Sequence, residues 1–264
     1  MTTARLSADA EALRSKVSPS PETVYAMAER PSMLTQTSSR EERLLPYDSA
    51  RVSRSDSWND STRRYNWRMG DKRSICVYCA SSDASDAVYR DVARRLGGIL
   101  AARGYALIYG GGATGSMGAL ADGVVAAGGT ITGVMPRFMM ELEWAHRNLT
   151  ELRVVEDMRI RKHMMLSESH GLVTLPGGPG TLEELFEAFT LKRLGLYTNP
   201  IVIVNTRNYF DPLLALLDHA IAERFMHPRH AAMWQIVAEP EDVPDALANA
   251  PEWSAAARTF AQIS

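Results

Sequence analysis

The chain has 264 residues, 45% of them apolar, with a formal net charge of −2 and a pI near 6.3. That is enough apolar material for one globular core with an extension, and the slightly acidic balance weighs against a general nucleic-acid or anionic-membrane binder. No apolar run reaches the ~20 residues needed to span a bilayer, and "MTTARLSADAEALRSKV" lacks the apolar core of a secretory signal, so a cytoplasmic location is expected.

Residues 1–72 hold "SPSPE", "TQTSSREER" and "SARVSRSDSWNDSTRR". So polar a composition cannot bury enough surface to offset its ordering entropy, and a disordered N-terminal extension is expected. A single domain follows over 73–264. "SICVYCA" reads as a strand and "DAVYRDVARRLGGILAARG" as a helix. "YALIYG" is the next strand, "GSMGALADGVVAAGG" the next helix and "TITGVMP" a third strand. After the irregular "RFMMELEWAHRNLT" come strand "ELRVVE", helix "DMRIRKHMMLSES", strand "GLVTLP" and helix "TLEELFEAFTLKRLG". Strand "PIVIVN", helix "YFDPLLALLDHAIAERF", a short strand near "WQIVAE" and helix "PEDVPDALANA" complete the pattern. Short apolar strands alternating with helices predict an α/β fold with a doubly wound, Rossmann-like parallel sheet. Ligands of such sheets bind beyond the carboxyl ends of the strands, so the residues just after each strand carry the information.

Cys76 and Cys79 are the two cysteines. Three residues apart on a strand, they point to opposite faces, which predicts two buried, reduced thiols rather than a metal or redox pair.

"GGGATG" after the second strand fits G-x-G-x-x-G at Gly110, Gly112 and Gly115. It is not on the first strand, and the next strand ends "VMPR" with no acid for a ribose, so a nicotinamide cofactor is not expected, although Arg137 could face a 2′-phosphate. Close helix–strand packing accounts for part of the glycine pattern. "PGGPGT" is stronger. Gly177, Gly178 and Gly180 leave backbone N–H groups uncovered where a helix begins, beside the Thr181 hydroxyl, and that makes a phosphate cradle. No lysine follows the last glycine, which argues against a nucleoside triphosphatase. Thr181 and Glu184 also fit a capping box, T-x-x-E, which needs no ligand, and both readings stay open at this point. Arg159, Arg161 and Lys162 open the helix after the fourth strand, where basic groups are disfavoured unless they serve a solvated face or an anion. A glycine-rich phosphate site with carboxylates close by suits a ligand having a phosphate and a centre that becomes cationic. Glycosidic cleavage of a nucleotide has such a centre, because its transition state resembles an oxocarbenium ion.

These residues resemble the Lonely Guy cytokinin-activating phosphoribohydrolases, long labelled lysine decarboxylases. The signature PGGxGTxxE is matched by Pro176, Gly177, Gly178, Gly180, Thr181 and Glu184, and MHxRK by Met158, Arg161 and Lys162. "CVYCASS", "YGGG", "GVMP", "EWAH" and "LTEL" are similar too, over about Ser74 to Glu239. The resemblance implies hydrolysis of a nucleoside 5′-monophosphate, such as an N6-modified adenosine monophosphate, to free base and ribose 5-phosphate, with no cofactor. It implies Arg161 and Glu184 as catalytic residues. Glu143, Lys162, Gly177, Gly178, Pro179, Gly180, Thr181, Leu182, Glu183 and Thr190 would contact substrate. A homodimer or higher homo-oligomer is implied, with sites near the subunit interface. The family histidine of MHxRK is Arg159 here, which bears on base specificity. A decarboxylase would need a lysine for pyridoxal phosphate, and beyond Ser74 there are only Lys162, in the anion motif, and Lys192, in a helix without a cofactor signature. A non-catalytic nucleotide sensor or carrier of the same fold is the alternative.

Overall fold

A computed structural model describes residues 73–141 and 145–261. The expected extension and Glu143 lie outside the described residues. Seven strands form one sheet: β1 (Ser74–Tyr78), β2 (Ala106–Tyr109), β3 (Thr130–Pro136), β4 (Glu151–Val155), β5 (Leu172–Thr174), β6 (Ile201–Val204) and β7 (Gln235–Val237). Their order is β4-β3-β2-β1-β5-β6-β7, and every pairing is parallel. Among the described residues, six α-helices connect or follow them: α1 (Ala87–Ala102), α2 (Gly115–Ala126), α3 (Met158–Ser167), α4 (Pro179–Arg193), α5 (Asp211–Ala222) and α6 (Val243–Ala248). Each expected strand and helix is present. Short 3₁₀ turns at Pro228–Met233 and Ala255–Phe260 were not part of the sequence-based pattern.

The winding follows from alternating burial. Val92, Leu96 and Leu100 put one stripe of α1 against the sheet, where Ala119, Leu120 and Val124 of α2 and Val243 and Leu247 of α6 join them. On the opposite face Met165 and Leu166 of α3, Leu185 and Phe189 of α4 and Leu217 of α5 pack together. Cys79 belongs to the first cluster and Cys76 to the second, both buried and neither in a disulfide, as the period-2 reading of β1 requires.

The chain moves from β1 outward to β4, then returns to the other side of β1 to start β5. The winding direction therefore reverses between β1 and β5, where Tyr78 and Thr174 lie side by side in register. This is the topological switch point, and the crevice beyond it is where an α/β sheet takes its ligand. The segments that leave β1 at Cys79 and β5 at Leu175 therefore start side by side.

Candidate active site

The glycine loop opens α4, but one turn earlier than a capping box would require. Gly178 is the N-cap and Pro179 the first helical residue, a position that suits its fixed φ and missing N–H. Thr181 is thus the third helical residue and Glu184 the sixth, so Glu184 is not the capping carboxylate of α4. The capping-box alternative fails, and neither Glu183 nor Glu184 lies in the first turn. Glu184 is buried because of its helical phase: it shares a stripe with Thr181, Leu185, Ala188 and Lys192 that faces the sheet.

The three glycines play different parts. A Cβ on Gly177 would come within 2.2 Å of Thr181 Oγ1, whereas Gly178 and Gly180 face open space. Packing therefore explains Gly177 and leaves the other two unexplained, as expected for backbone kept bare toward a ligand. The glycines after β2 are mostly packing devices. A Cβ on Gly115, at φ +60°, would strike the Ser81 backbone at 2.5 Å, and one on Gly110 would meet Arg161 Nη2 at 2.2 Å. The Gly-rich turns after β2 and β5 are not on adjacent strands, because β1 lies between them.

Arg161 and Glu184 meet beneath the glycine loop. Asp157 caps α3 by accepting from the N–H groups of Arg159 and Ile160, which offsets the cations that follow. The α3 crossover runs back from the sheet edge and carries Arg161 inward over β3. There Arg161 Nε donates to the Val134 carbonyl at 3.0 Å and Nη1 to Glu184 Oε1 at 2.9 Å. Both side chains are about 5% exposed. Burial pushes the Glu184 carboxyl up, to about 7; Arg161 pulls it back, Glu183 raises it, Lys162 lowers it and Glu187 raises it. Buried Cys76 and Tyr78 belong to the same face of β1, and burial raises both well above their ordinary values, so these two groups stay neutral beside Glu184.

Lys162 lies one residue outward and binds two carboxylates, Glu183 and, at 2.7 Å, Glu187. Burial works against the Lys162 ammonium, but these two acids more than reverse it and the net shift is upward. Glu187 was not among the expected site residues, although its place four residues after Glu183 puts both on one side of a helix. Arg159 is a solvated cation, its side chain 91% exposed and paired with Asp157 at 3.3 Å. Pro179 and Glu183 are exposed, and Leu182 is half-buried against the apolar cluster on that face. Thr190 is exposed and returns its hydroxyl to the Phe186 carbonyl. It lies roughly 16 Å along the axis from the start of α4, so this chain does not bring it to its own glycine loop.

A doubly wound parallel sheet with a bare glycine loop and a buried Arg–Glu ion pair near its switch point defines a Rossmann-like α/β protein. The sequence profile described as "Possible lysine decarboxylase" matches residues 117–247. A probable cytokinin riboside 5′-monophosphate phosphoribohydrolase of Oryza sativa subsp. japonica is 42% identical over 152 residues, covering 58% of this chain and 68% of the relative. The cytokinin riboside 5′-monophosphate phosphoribohydrolase of Rhodococcoides fascians is 40% identical over 157 residues, covering 59% and 79%. Among solved structures, the molybdenum cofactor carrier protein of Chlamydomonas reinhardtii superposes with a TM-score of 0.53 at 23% identity, covering 68% of this chain and 100% of that one, a likeness of fold. The chain belongs to the cytokinin riboside 5′-monophosphate phosphoribohydrolase family.

Proposed function

We propose that this protein hydrolyses the N-glycosidic bond of nucleoside 5′-monophosphates, adenosine monophosphate or an N6-modified form of it, to free base and ribose 5-phosphate. The observation that carries this is the pairing of a bare glycine loop with a buried carboxylate, Glu184, on the next turn of the same helix. The phosphate takes the N–H groups of Gly178, Gly180 and Thr181, and Lys162 supplies a counter-charge at the rim. The C1′–N bond then lies over Arg161 and Glu184. As that bond breaks, its electron pair leaves with the base, which gains a proton, and a water oxygen bonds to C1′. A carboxyl raised to about 7 by burial can be ionised at neutral pH and still exchange a proton. Ionised, Glu184 stabilises the cationic sugar, accepts the proton of the attacking water and passes it on to the departing base, while Arg161 holds it in place.

A nucleotide carrier would need the cradle but no buried carboxylate. A decarboxylase would need an amine for its cofactor. Lys162 is held by two acids, and Lys192 is buried with Nζ on the Asn199 and Thr198 carbonyls at 2.6 and 3.4 Å. We place the catalytic unit at 73–264 and residues 1–72 outside it. We also infer a homo-oligomer in which the exposed stripe of α4, Phe186 and Thr190, faces a second copy, so that Thr190 serves the partner's site. Incubation with adenosine monophosphate should release adenine and ribose 5-phosphate in equal amounts. Binding without release would leave the carrier reading.

A further inference from the structure

The loop after β6 contains a contact to the glycine loop that the family motifs do not include. Tyr209 Oη donates to the Gly177 carbonyl at 2.6 Å. The residue is 39% exposed, and its ring meets Tyr89 of α1 edge-on at 6.1 Å. Two consecutive non-glycine residues just before it, Arg207 at φ 55° and Asn208 at φ 58°, adopt the left-handed conformation. That conformation is costly for side-chain-bearing residues and persists only where surroundings enforce it. Here they do. Arg207 pairs with Asp86, the N-cap of α1, at 2.7 Å, and Asn205 Oδ1 accepts from the Phe210 N–H at 2.7 Å. The strained turn is thus tied on both sides, and Tyr209 projects from it onto Gly177.

We propose that Tyr209 is a positioning residue for phosphate: it fixes the Gly177–Gly178 peptide so that the N–H of Gly178 faces the ligand. In a trans peptide the C=O and N–H point in opposite directions. Holding the Gly177 oxygen on one side therefore aims the Gly178 N–H to the other. Thr181 already packs against the Gly177 Cα, so the peptide is held from two directions. A glycine pair has access to many conformations, and without the phenol this peptide can rotate and withdraw its donor.

The inference rests on reading the glycine loop as a phosphate cradle. Its test compares wild type with Tyr209→Phe, which keeps the ring and removes only the hydroxyl. The expected result is a rise of about tenfold in KM for adenosine monophosphate, the size of one lost bond to a charged group, with kcat within about twofold. Inorganic phosphate should bind the variant more weakly by a similar factor, while adenosine turnover stays as in wild type and Tm falls by only a few degrees. Unchanged KM and phosphate affinity would overturn the proposal, as would equal losses for adenosine and its monophosphate. If Tyr209→Phe does not fold, Arg207→Gly keeps the left-handed turn and cuts its tether to Asp86. A KM rise confined to the monophosphate would then support the proposal, and no change would overturn it. A wild type that binds phosphate without releasing adenine removes the hydrolase reading and leaves Tyr209 judged by phosphate affinity. A wild type that does neither overturns both.

Discussion

Arg161 Nη1 lies 2.9 Å from Glu184 Oε1, although Arg161 follows β4, Glu184 follows β5, and three strands separate these two in the sheet. Four strand spacings are roughly 19 Å, a gap closed by the α3 crossover as it returns from the edge to the centre. A buried pair of this kind is weak support for stability, since hydrophobic side chains of similar volume often do as well. On the function proposed above, the pair serves chemistry at the switch point instead.

A stability test separates these roles. Arg161→Met should cost about 3–5 kcal/mol by leaving Glu184 buried and unpaired. Arg161→Met combined with Glu184→Leu should recover most of that loss in urea unfolding while base release stays absent. Arg161→Lys, which keeps the charge but not the planar fork, should fold and still lose most turnover. Full activity in Arg161→Lys would remove Arg161 from the reacting complex.

Glu184→Gln should remain folded and bind ribose 5-phosphate, with turnover down by ~10²–10⁴. The pH profile of the wild type follows from burial. With the Glu184 carboxyl raised to about 7, kcat should fall as pH drops through that value and the group protonates. Glu183 raises this value and Lys162 lowers it, so Glu183→Gln should move the acidic limb to lower pH and Lys162→Met to higher pH. Shifts in the same direction would contradict the assignment of the limb to Glu184.

The glycine loop offers a contrast within four residues. Gly177→Ala places a Cβ 2.2 Å from Thr181 Oγ1 and should cost about 1–3 kcal/mol through overpacking. Gly180→Ala meets nothing within 4 Å and lies inside α4, so stability should hold or rise by about 0.5–1 kcal/mol. Affinity for the monophosphate should nevertheless fall in Gly180→Ala and Gly178→Ala. Thermal melts beside phosphate titrations would show whether stability and binding separate in this way.

Lys192 gives a pH effect unrelated to catalysis. Its amine is buried and lowered to about 7 by that burial, beside the rings of Tyr197 and Trp253. The unfolded chain binds the proton up to about 10.4, so between these values the unfolded state holds more protons and stability rises with pH. The rise is at most about 1.4 kcal/mol per pH unit. Denaturation midpoints of wild type relative to Lys192→Met should therefore increase from pH 7 to pH 9.5.

The sequence alone determined the alternation of strands and helices, the parallel doubly wound sheet, the opposed faces of Cys76 and Cys79, and the placing of glycine-rich turns after strands. All of these depend on periods of two and 3.6 residues and on local backbone permissiveness, which neighbouring residues carry. The frame of α4 was not legible, because Thr181 and Glu184 fit a capping box as well as they fit a helix beginning at Pro179. Packing of Glu184 on one stripe with Leu185 and Ala188 decided it. Nor could the sequence distinguish Gly177, which makes room for Thr181, from Gly178 and Gly180, which open to solvent. Glu187 and Tyr209 were missed for the same reason: their partners, Lys162 and Gly177, are distant in the chain. Only the order of strands, set by burying both faces of the sheet at once, brings α3 across to α4 and the β6 loop up to the β5 loop. That order is a collective property of the core, and no local period encodes it.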